Sequence, residues 1–141
     1  MTRYLLDTNI VSDLIRNPQG NTAKRIVSVG EATVCTSIIV ASELRYGAAK
    51  KGSPRLSAKI DAVLDVLPIL NLEPDADRHY SALRNQLESA GTIIGANDML
   101  IAAHALSANA ILVTDNEGEF SRVTGLRVEN WLRPAEDNRT K

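Results

Sequence analysis

Short apolar segments alternate with longer segments of helical periodicity along nearly the whole chain, and this alternation limits the fold more than any other feature. The apolar segments are too short for helices and are rich in Val, Ile, Leu and Thr, which indicates strands. We expect strands at 4–6, 32–36, 68–72 and 110–114, with an edge strand at 127–131. Strands that are joined by helices pair in parallel, and a parallel sheet needs helices on both faces. The sequence therefore predicts an α/β fold with three α/β/α layers, in which helices cover a short parallel sheet of four to five strands.

The segments between the strands carry apolar residues three and four positions apart, as amphipathic helices do. The first helix is predicted at 10–15 with Thr8 or Asn9 as its N-cap, and another begins at the N-cap Ser37. The polar run 115–118 is predicted to be a turn. The remaining helices are expected at 23–29, 55–66, 74–90 and 99–108.

Length and composition indicate a single globular domain. The chain has 141 residues, of which 44% are hydrophobic, and we expect one domain at 1–132 followed by a polar tail at 133–141. Sixteen Lys and Arg against 17 Asp and Glu argue against a broad basic face for nucleic acid. The single cysteine, Cys35, excludes an internal disulfide and a multi-cysteine zinc site, and we expect it to be buried. No apolar run is long enough for a membrane span, so we expect a cytoplasmic protein.

Acidic side chains follow the predicted strands at one edge of the predicted sheet. Asp7 follows the first strand and Asp115 the fourth, while Asp98 begins a helix and Glu43 lies in the second turn of another. Ligands of open parallel sheets bind beyond the carboxyl ends of the strands. Carboxylates that converge there repel one another unless a cation compensates them, and Mg²⁺ and Mn²⁺ prefer carboxylate oxygens. The pattern favours metal-dependent phosphodiester hydrolysis.

Each acid taken alone also has a plain structural explanation. Asp7 fits a helix cap, Glu43 a solvated helix face, Asp98 a first helical turn, and Asp115 a turn. Only their joint placement at one edge favours a site. Other centres are weaker, because His79 and His104 have no partner at metal or triad spacing, and the chain lacks nucleophile-elbow and phosphate-loop motifs.

Four segments resemble the acidic motifs of PIN domains, and more narrowly those of VapC-type toxins of bacterial type II toxin–antitoxin modules. The resemblance extends from about residue 3 to Trp131 and includes the late 120–131 stretch. The motifs stand in the family's order and at its spacing. They are Leu5-Leu6-Asp7-Thr8-Asn9, Ala41-Ser42-Glu43-Leu44-Arg45-Tyr46-Gly47, Gly95-Ala96-Asn97-Asp98-Met99-Leu100-Ile101-Ala102 and Leu112-Val113-Thr114-Asp115-Asn116.

The resemblance implies a PIN-like fold and a Mg²⁺- or Mn²⁺-dependent endoribonuclease that arrests translation and growth. It implies Asp7 and Asp98 as the main metal ligands, with Glu43 holding the metal or its water. It also implies a VapB-type antitoxin that blocks the acidic groove, a homodimer, and an RNA substrate that is tRNA in the most similar subgroup. Hydrogen bonds that orient these ligands would come from Thr8, Asn9 and Thr114.

The last motif departs from many relatives, which place the final acid, or an Asn, two residues after the Thr. That position here is Asn116, while Asp115 comes one earlier and Glu119 a turn later. The fourth acid is therefore open among these three. We favour Asp115, because it is a carboxylate directly after the strand, and assign Asn116 and Glu119 to supporting hydrogen bonds.

Contacts to the RNA backbone must come from outside the acidic edge. The stretch 44–60 holds five basic residues and no acid, and it begins one turn from Glu43. Its members are either a solvated helix face or the contact surface for phosphates. The candidates are Arg45, Lys50, Lys51 and Arg55, with Lys59 beyond them.

Two other functions fit the same fold. A catalytically degenerate PIN-fold module would act through a protein partner, but the chain lacks none of the acidic motifs. A receiver-like phosphoacceptor domain would need paired acids near the first strand, whereas Asp7 has no acidic neighbour.

Overall fold

The computed structural model describes residues 2–134 and contains one sheet of five strands with helices around it. The strands are β1 (Tyr4–Leu6), β2 (Val34–Ser37), β3 (Ile69–Leu70), β4 (Ile111–Val113) and β5 (Val128–Glu129). The helices are α1 (Thr8–Arg16), α2 (Asn21–Val29), α3 (Ile38–Lys51), α4 (Pro54–Val66), α5 (Ala76–Ser89), α6 (Ala96–Ser107) and the short α7 (Glu117–Phe120). Of the predicted polar tail, 135–141 lie outside the described residues.

All strand pairs are parallel, and the order across the sheet is β3-β2-β1-β4-β5. The chain starts at the centre, moves outward through β2 and β3, and returns to the other side of β1 with β4. The order thus reverses between β1 and β4, where open α/β sheets form ligand crevices. The predicted three-layer α/β/α fold is confirmed.

The sheet is buried because helices pack on both faces. Leu5, Leu6, Leu112 and Val113 are fully shielded from solvent, as the continuous apolar strands of a buried parallel sheet require. Among the helices, α1 packs against α2, α3 and α4, and α5 packs against α6. Cys35 is buried, as predicted.

Two local predictions were wrong. The N-cap of α1 is Asp7 rather than Thr8 or Asn9, because Oδ1 of Asp7 accepts a hydrogen bond from the Thr8 amide. The predicted turn 115–118 instead leads into α7, whose first residue is Glu117. This short helix changes which acidic side chain faces the sheet edge.

Candidate active site

Asp7 lies at the carboxyl end of the central strand, beside the point where the strand order reverses. Its side chain is only 4% exposed. Oδ1 accepts from the Thr8 amide at 2.8 Å, and Oδ2 accepts from the Thr114 hydroxyl at 2.7 Å. Burial raises the pKa of Asp7, the two hydrogen bonds oppose that rise, and the charge of Glu43 adds to it. The carboxyl is held rigidly in a place that disfavours its charge.

Glu43 reaches the same edge from the second turn of α3. Its Oε1 accepts a hydrogen bond from the Thr8 hydroxyl at 2.9 Å. Thr8 therefore binds both acids, Asp7 through its amide and Glu43 through its hydroxyl. Thr8, the first residue of α1, thus holds in place two carboxylates that are 36 positions apart in sequence.

Asp98 lies in the first turn of α6 and completes the group with Glu119 of α7. Burial raises the pKa of Asp98 to about 7, and the charge of Asp7 is the next cause. A hydrogen bond with the Glu119 carboxyl, together with the charges of Glu119 and Glu43, raises it further. Burial and the neighbouring carboxylates therefore disfavour the charged form of Asp98.

A chain of hydrogen bonds connects Asp7 to Glu119 through the last motif. Thr114 donates to Asp7, and its hydroxyl oxygen accepts from the Asn116 amide at 3.0 Å. The Asn116 side chain donates from Nδ2 to Oε2 of Glu119 at 2.9 Å. Asn9 joins the same motif, because its Oδ1 accepts from the Asp115 amide at 3.0 Å. The structure brings together every side chain that the sequence assigned to supporting hydrogen bonds.

Asp115 faces away from this group. Its side chain is exposed, and its Oδ1 accepts from Nδ2 of Asn130 at 3.0 Å. The charge of Asp115 does not contribute to the raised pKa of Asp7 or of Asp98. The charge of Glu119, in contrast, contributes to the raised pKa of Asp98. The sequence signal for Glu119 was its position three residues after Asn116, which is the spacing of neighbours on one helical face.

The donor set fits a divalent cation. Asp7, Glu43, Asp98 and Glu119 offer carboxylate oxygens, and none of the ion pairs found within residues 2–134 includes any of them. Their mutual repulsion and the raised pKa of Asp98 are the effects that a cation would relieve. In the described part of the chain, no three acidic, His or Cys side chains already form a metal cage. A cation would therefore have to draw these carboxylates closer together.

The basic residues of α3 and α4 differ in their surroundings. Nη1 of Arg45 lies 2.6 Å from Oδ1 of Asp61, so its charge is compensated by an ion pair. Lys50, Lys51 and Arg55 are exposed, and no acidic side chain among the described residues forms an ion pair with them. These three remain available for phosphate.

His104 is separate from the acidic group. It is 2% exposed, and its Nδ1 lies 2.7 Å from the Ser37 hydroxyl, which also caps α3. Burial lowers the pKa of His104. His104 is a buried core residue whose Nδ1 has a hydrogen-bond partner in Ser37.

A family model described as the PIN domain matches residues 4–126. This chain belongs to the PIN domain family. No helix within residues 2–134 of this PIN domain is both long and apolar enough to cross a membrane.

Curated relatives place the PIN domain among the VapC proteins. It is 41% identical over 133 residues to Ribonuclease VapC2 of Haemophilus influenzae. This match covers 94% of this chain and 100% of the relative. It is 36% identical over 132 residues to the tRNA(fMet)-specific endonuclease VapC of Shigella flexneri, covering 93% and 99%.

A solved structure agrees with this placement. The VapBC2 complex of Rickettsia felis, bound to a DNA fragment from its promoter, contains a chain with a TM-score of 0.86 and 38% identity. The match covers 92% of this chain and 99% of that one. The PIN domain is thus a VapC-family protein in sequence and in fold.

Proposed function

We propose that this PIN domain is a metal-dependent endoribonuclease and the toxin of a type II toxin–antitoxin pair. The observation that carries the proposal is the convergence of Asp7, Glu43, Asp98 and Glu119 from four separate segments, without a cationic partner among the described residues. The names of the VapC relatives support the same activity. The single sheet within 1–132 supports one domain.

The metal ligands in this proposal are Asp7 and Asp98, with Glu43 and Glu119 completing the set. Metal dependence is general among PIN-domain ribonucleases, and the proposed ion is Mg²⁺ or Mn²⁺. Such an ion supplies Lewis-acid activation and charge stabilisation for phosphodiester hydrolysis. We propose Glu119 in place of Asp115, because Glu119 shares a hydrogen bond with Asp98 and Asp115 binds Asn130 instead.

The protein's own groups prepare the site. Thr114 and Thr8 hold Asp7 and Glu43 in fixed orientations, so that the carboxylates need little reorganisation on binding. Because the pKa of Asp98 is raised to about 7, its carboxyl must lose a proton before it can act as a ligand. Activity should therefore rise with pH as that proton is lost.

The substrate in this proposal is RNA, and tRNA is the favoured class because one relative is named a tRNA(fMet)-specific endonuclease. Lys50, Lys51 and Arg55 are the proposed backbone contacts, since they are exposed and unpaired among the described residues. Arg45 is the weaker candidate, because Asp61 compensates its charge.

The partners in this proposal are a cognate VapB-type antitoxin and a second copy of the chain. Structures of VapBC complexes among the neighbours support the antitoxin. The homodimer follows from the family resemblance, and the cytoplasmic location is the expectation drawn above from the sequence. The degenerate binding-module alternative is disfavoured, because every acidic motif retains its carboxylate.

The test is to induce expression of the protein in a bacterial host and then to map new RNA 5′ ends across transcripts and tRNA. The wild type is compared with Asp98→Asn, which keeps the shape of the side chain but removes its charge. Asp65→Asn is the matched control, because Asp65 is an exposed acid of α4 outside the site. We expect growth arrest and discrete new ends with the wild type and Asp65→Asn only. Discrete ends that persist unchanged with Asp98→Asn would contradict the proposal.

A further inference from the structure

A groove of about 390 Å³ extends from the acidic group along the seam between α1, α3 and α4. Its inner end is formed by Thr8 and Glu43, which hydrogen-bond to each other. Anything that lies in this groove is therefore adjacent to the proposed catalytic acids. The proposed metal ligation does not use the rest of the groove.

The floor of the groove is apolar and its rim is basic. Side chains of all three helices form the floor, among them Ile15, Leu44 and Ile60. Arg16 and Lys51 line its edge, and neither forms an ion pair within residues 2–134. A mainly apolar surface with two cations among its lining residues suits a nucleotide, whose base has an apolar face and whose phosphates are anionic.

Gly47 keeps the groove open. It lies in the middle of α3, where its backbone is helical and glycine gives no conformational benefit. A Cβ built at Gly47 meets no atom within 4 Å, so the space beside it is the groove itself. A larger side chain there would occupy the groove without displacing the protein.

We propose that this groove is a nucleobase subsite, which holds one base flanking the scissile phosphate while the acids hold the phosphate. The inference rests on the proposed ribonuclease function and adds a determinant of substrate choice to it. Because the lining beyond Thr8 and Glu43 is mainly apolar, with Ser12 as its one hydroxyl, the subsite selects for an unstacked base more than for one base identity.

The first experiment uses wild-type protein and a synthetic RNA hairpin that contains the mapped cleavage site. Abasic analogues replace each of the two nucleotides flanking the cut, one at a time. We expect kcat/KM to fall about tenfold for one of the two abasic RNAs, since shielding roughly 50 Å² of apolar base surface from water contributes about that much. Equal cleavage of both abasic RNAs and the intact hairpin would overturn the proposal.

The second experiment fills the groove with Gly47→Leu. On the intact hairpin, kcat/KM of this variant should fall by a similar factor relative to the wild type. On the abasic RNA that the wild type cleaves poorly, the variant and the wild type should have the same kcat/KM, because the RNA change and the protein change remove the same contact. The Tm of Gly47→Leu should equal or exceed that of the wild type, because glycine destabilises a helix interior. Ala49→Leu adds the same side chain at an exposed position of α3 and serves as the matched control.

The remaining outcomes separate this inference from the proposed function. If Gly47→Leu cleaves RNA normally but escapes its antitoxin, the groove binds protein and the subsite proposal is wrong. If the wild type cuts no RNA, or Asp98→Asn cuts as well as the wild type, the ribonuclease proposal itself fails. If the wild type and Gly47→Leu cleave RNA equally well and Asp98→Asn does not, the subsite proposal is wrong and the ribonuclease proposal stands.

Discussion

The Thr114 hydroxyl donates a 2.7 Å hydrogen bond to Oδ2 of Asp7, although the two residues lie 107 positions apart in the chain. The bond crosses from β4 to β1 at the point where the strand order reverses. It is buried, and it lowers the pKa of Asp7 against the effect of burial. One threonine thus orients the proposed principal metal ligand and favours its charged form.

Thr114→Val should weaken metal binding, because it removes the donor while preserving the shape of the side chain. We expect Mn²⁺ affinity to fall about tenfold to a hundredfold, the range typical of groups that orient a ligand. Isothermal titration calorimetry of purified protein measures this affinity. Thr114→Ser keeps the hydroxyl and should bind Mn²⁺ within a few-fold of the wild type. Equal affinities for the Val variant and the wild type would show that the bond is dispensable.

Glu119→Gln and Asp115→Asn should have opposite outcomes. Glu119→Gln removes a carboxylate that lies beside Asp98 and raises its pKa, and RNA cleavage should fall about tenfold or more. Asp115→Asn keeps an oxygen that accepts from Asn130, so cleavage should stay near the wild-type rate. Single-turnover cleavage assays compare the two variants. The reverse result would identify Asp115 as the fourth acid.

Asp98→Asn should stabilise the metal-free protein at pH 8. The folded-state pKa of Asp98 is raised from 3.8 to about 7, so the stability associated with this group is present below pH 4 and decreases as pH rises through 7. We expect a gain in unfolding free energy of roughly 1 to 2 kcal/mol at pH 8, since solvent screens a half-buried group.

Urea unfolding at several pH values, in the presence of a chelator, measures that gain. The difference between Asp98→Asn and the wild type should vanish as pH approaches 4, where the wild-type carboxyl is also neutral. Added Mn²⁺ should stabilise the wild type more than the variant. A variant that is no more stable than the wild type at pH 8 would refute the electrostatic account.

His104 should make the protein less stable in mild acid. Burial lowers its folded-state pKa below 6.5, so the unfolded chain takes up the proton first and stability decreases as pH falls below 6.5. His104→Gln should flatten this dependence in urea titrations between pH 7 and 5. His79→Gln, at a partly exposed position of α5, should leave it unchanged. Parallel pH curves for the wild type and His104→Gln would argue against the effect.

Lys50→Ala should weaken RNA binding more than Arg45→Ala does. Lys50 has no ion-pair partner among the described residues, whereas Asp61 already compensates Arg45. Loss of one phosphate contact should reduce the slope of log K against log salt by about 0.7 for single-stranded RNA. Fluorescence anisotropy over a series of salt concentrations measures the slope. Lys24→Ala is the control, because Lys24 is an exposed residue of α2 outside the proposed contact surface. An unchanged slope for Lys50→Ala would remove it from the contact surface.

The order of the elements and the edge at which the acids meet could be predicted from the amino-acid sequence alone. Strand and helix periodicity depend on neighbours a few residues apart, so they can be read locally. Asp7 follows a strand and Asp98 begins a helix, and parallel topology then brings both to one side of the sheet.

Which side chains face one another at that edge depends on how the helices pack around the sheet. The short helix α7 turns Glu119 toward Asp98 and leaves Asp115 with Asn130, and Asp61 neutralises a candidate RNA contact. The groove at Gly47 exists only where three helices meet. These relationships join residues far apart in the chain through single hydrogen bonds, ion pairs and packing gaps, which leave no periodic signal in the sequence.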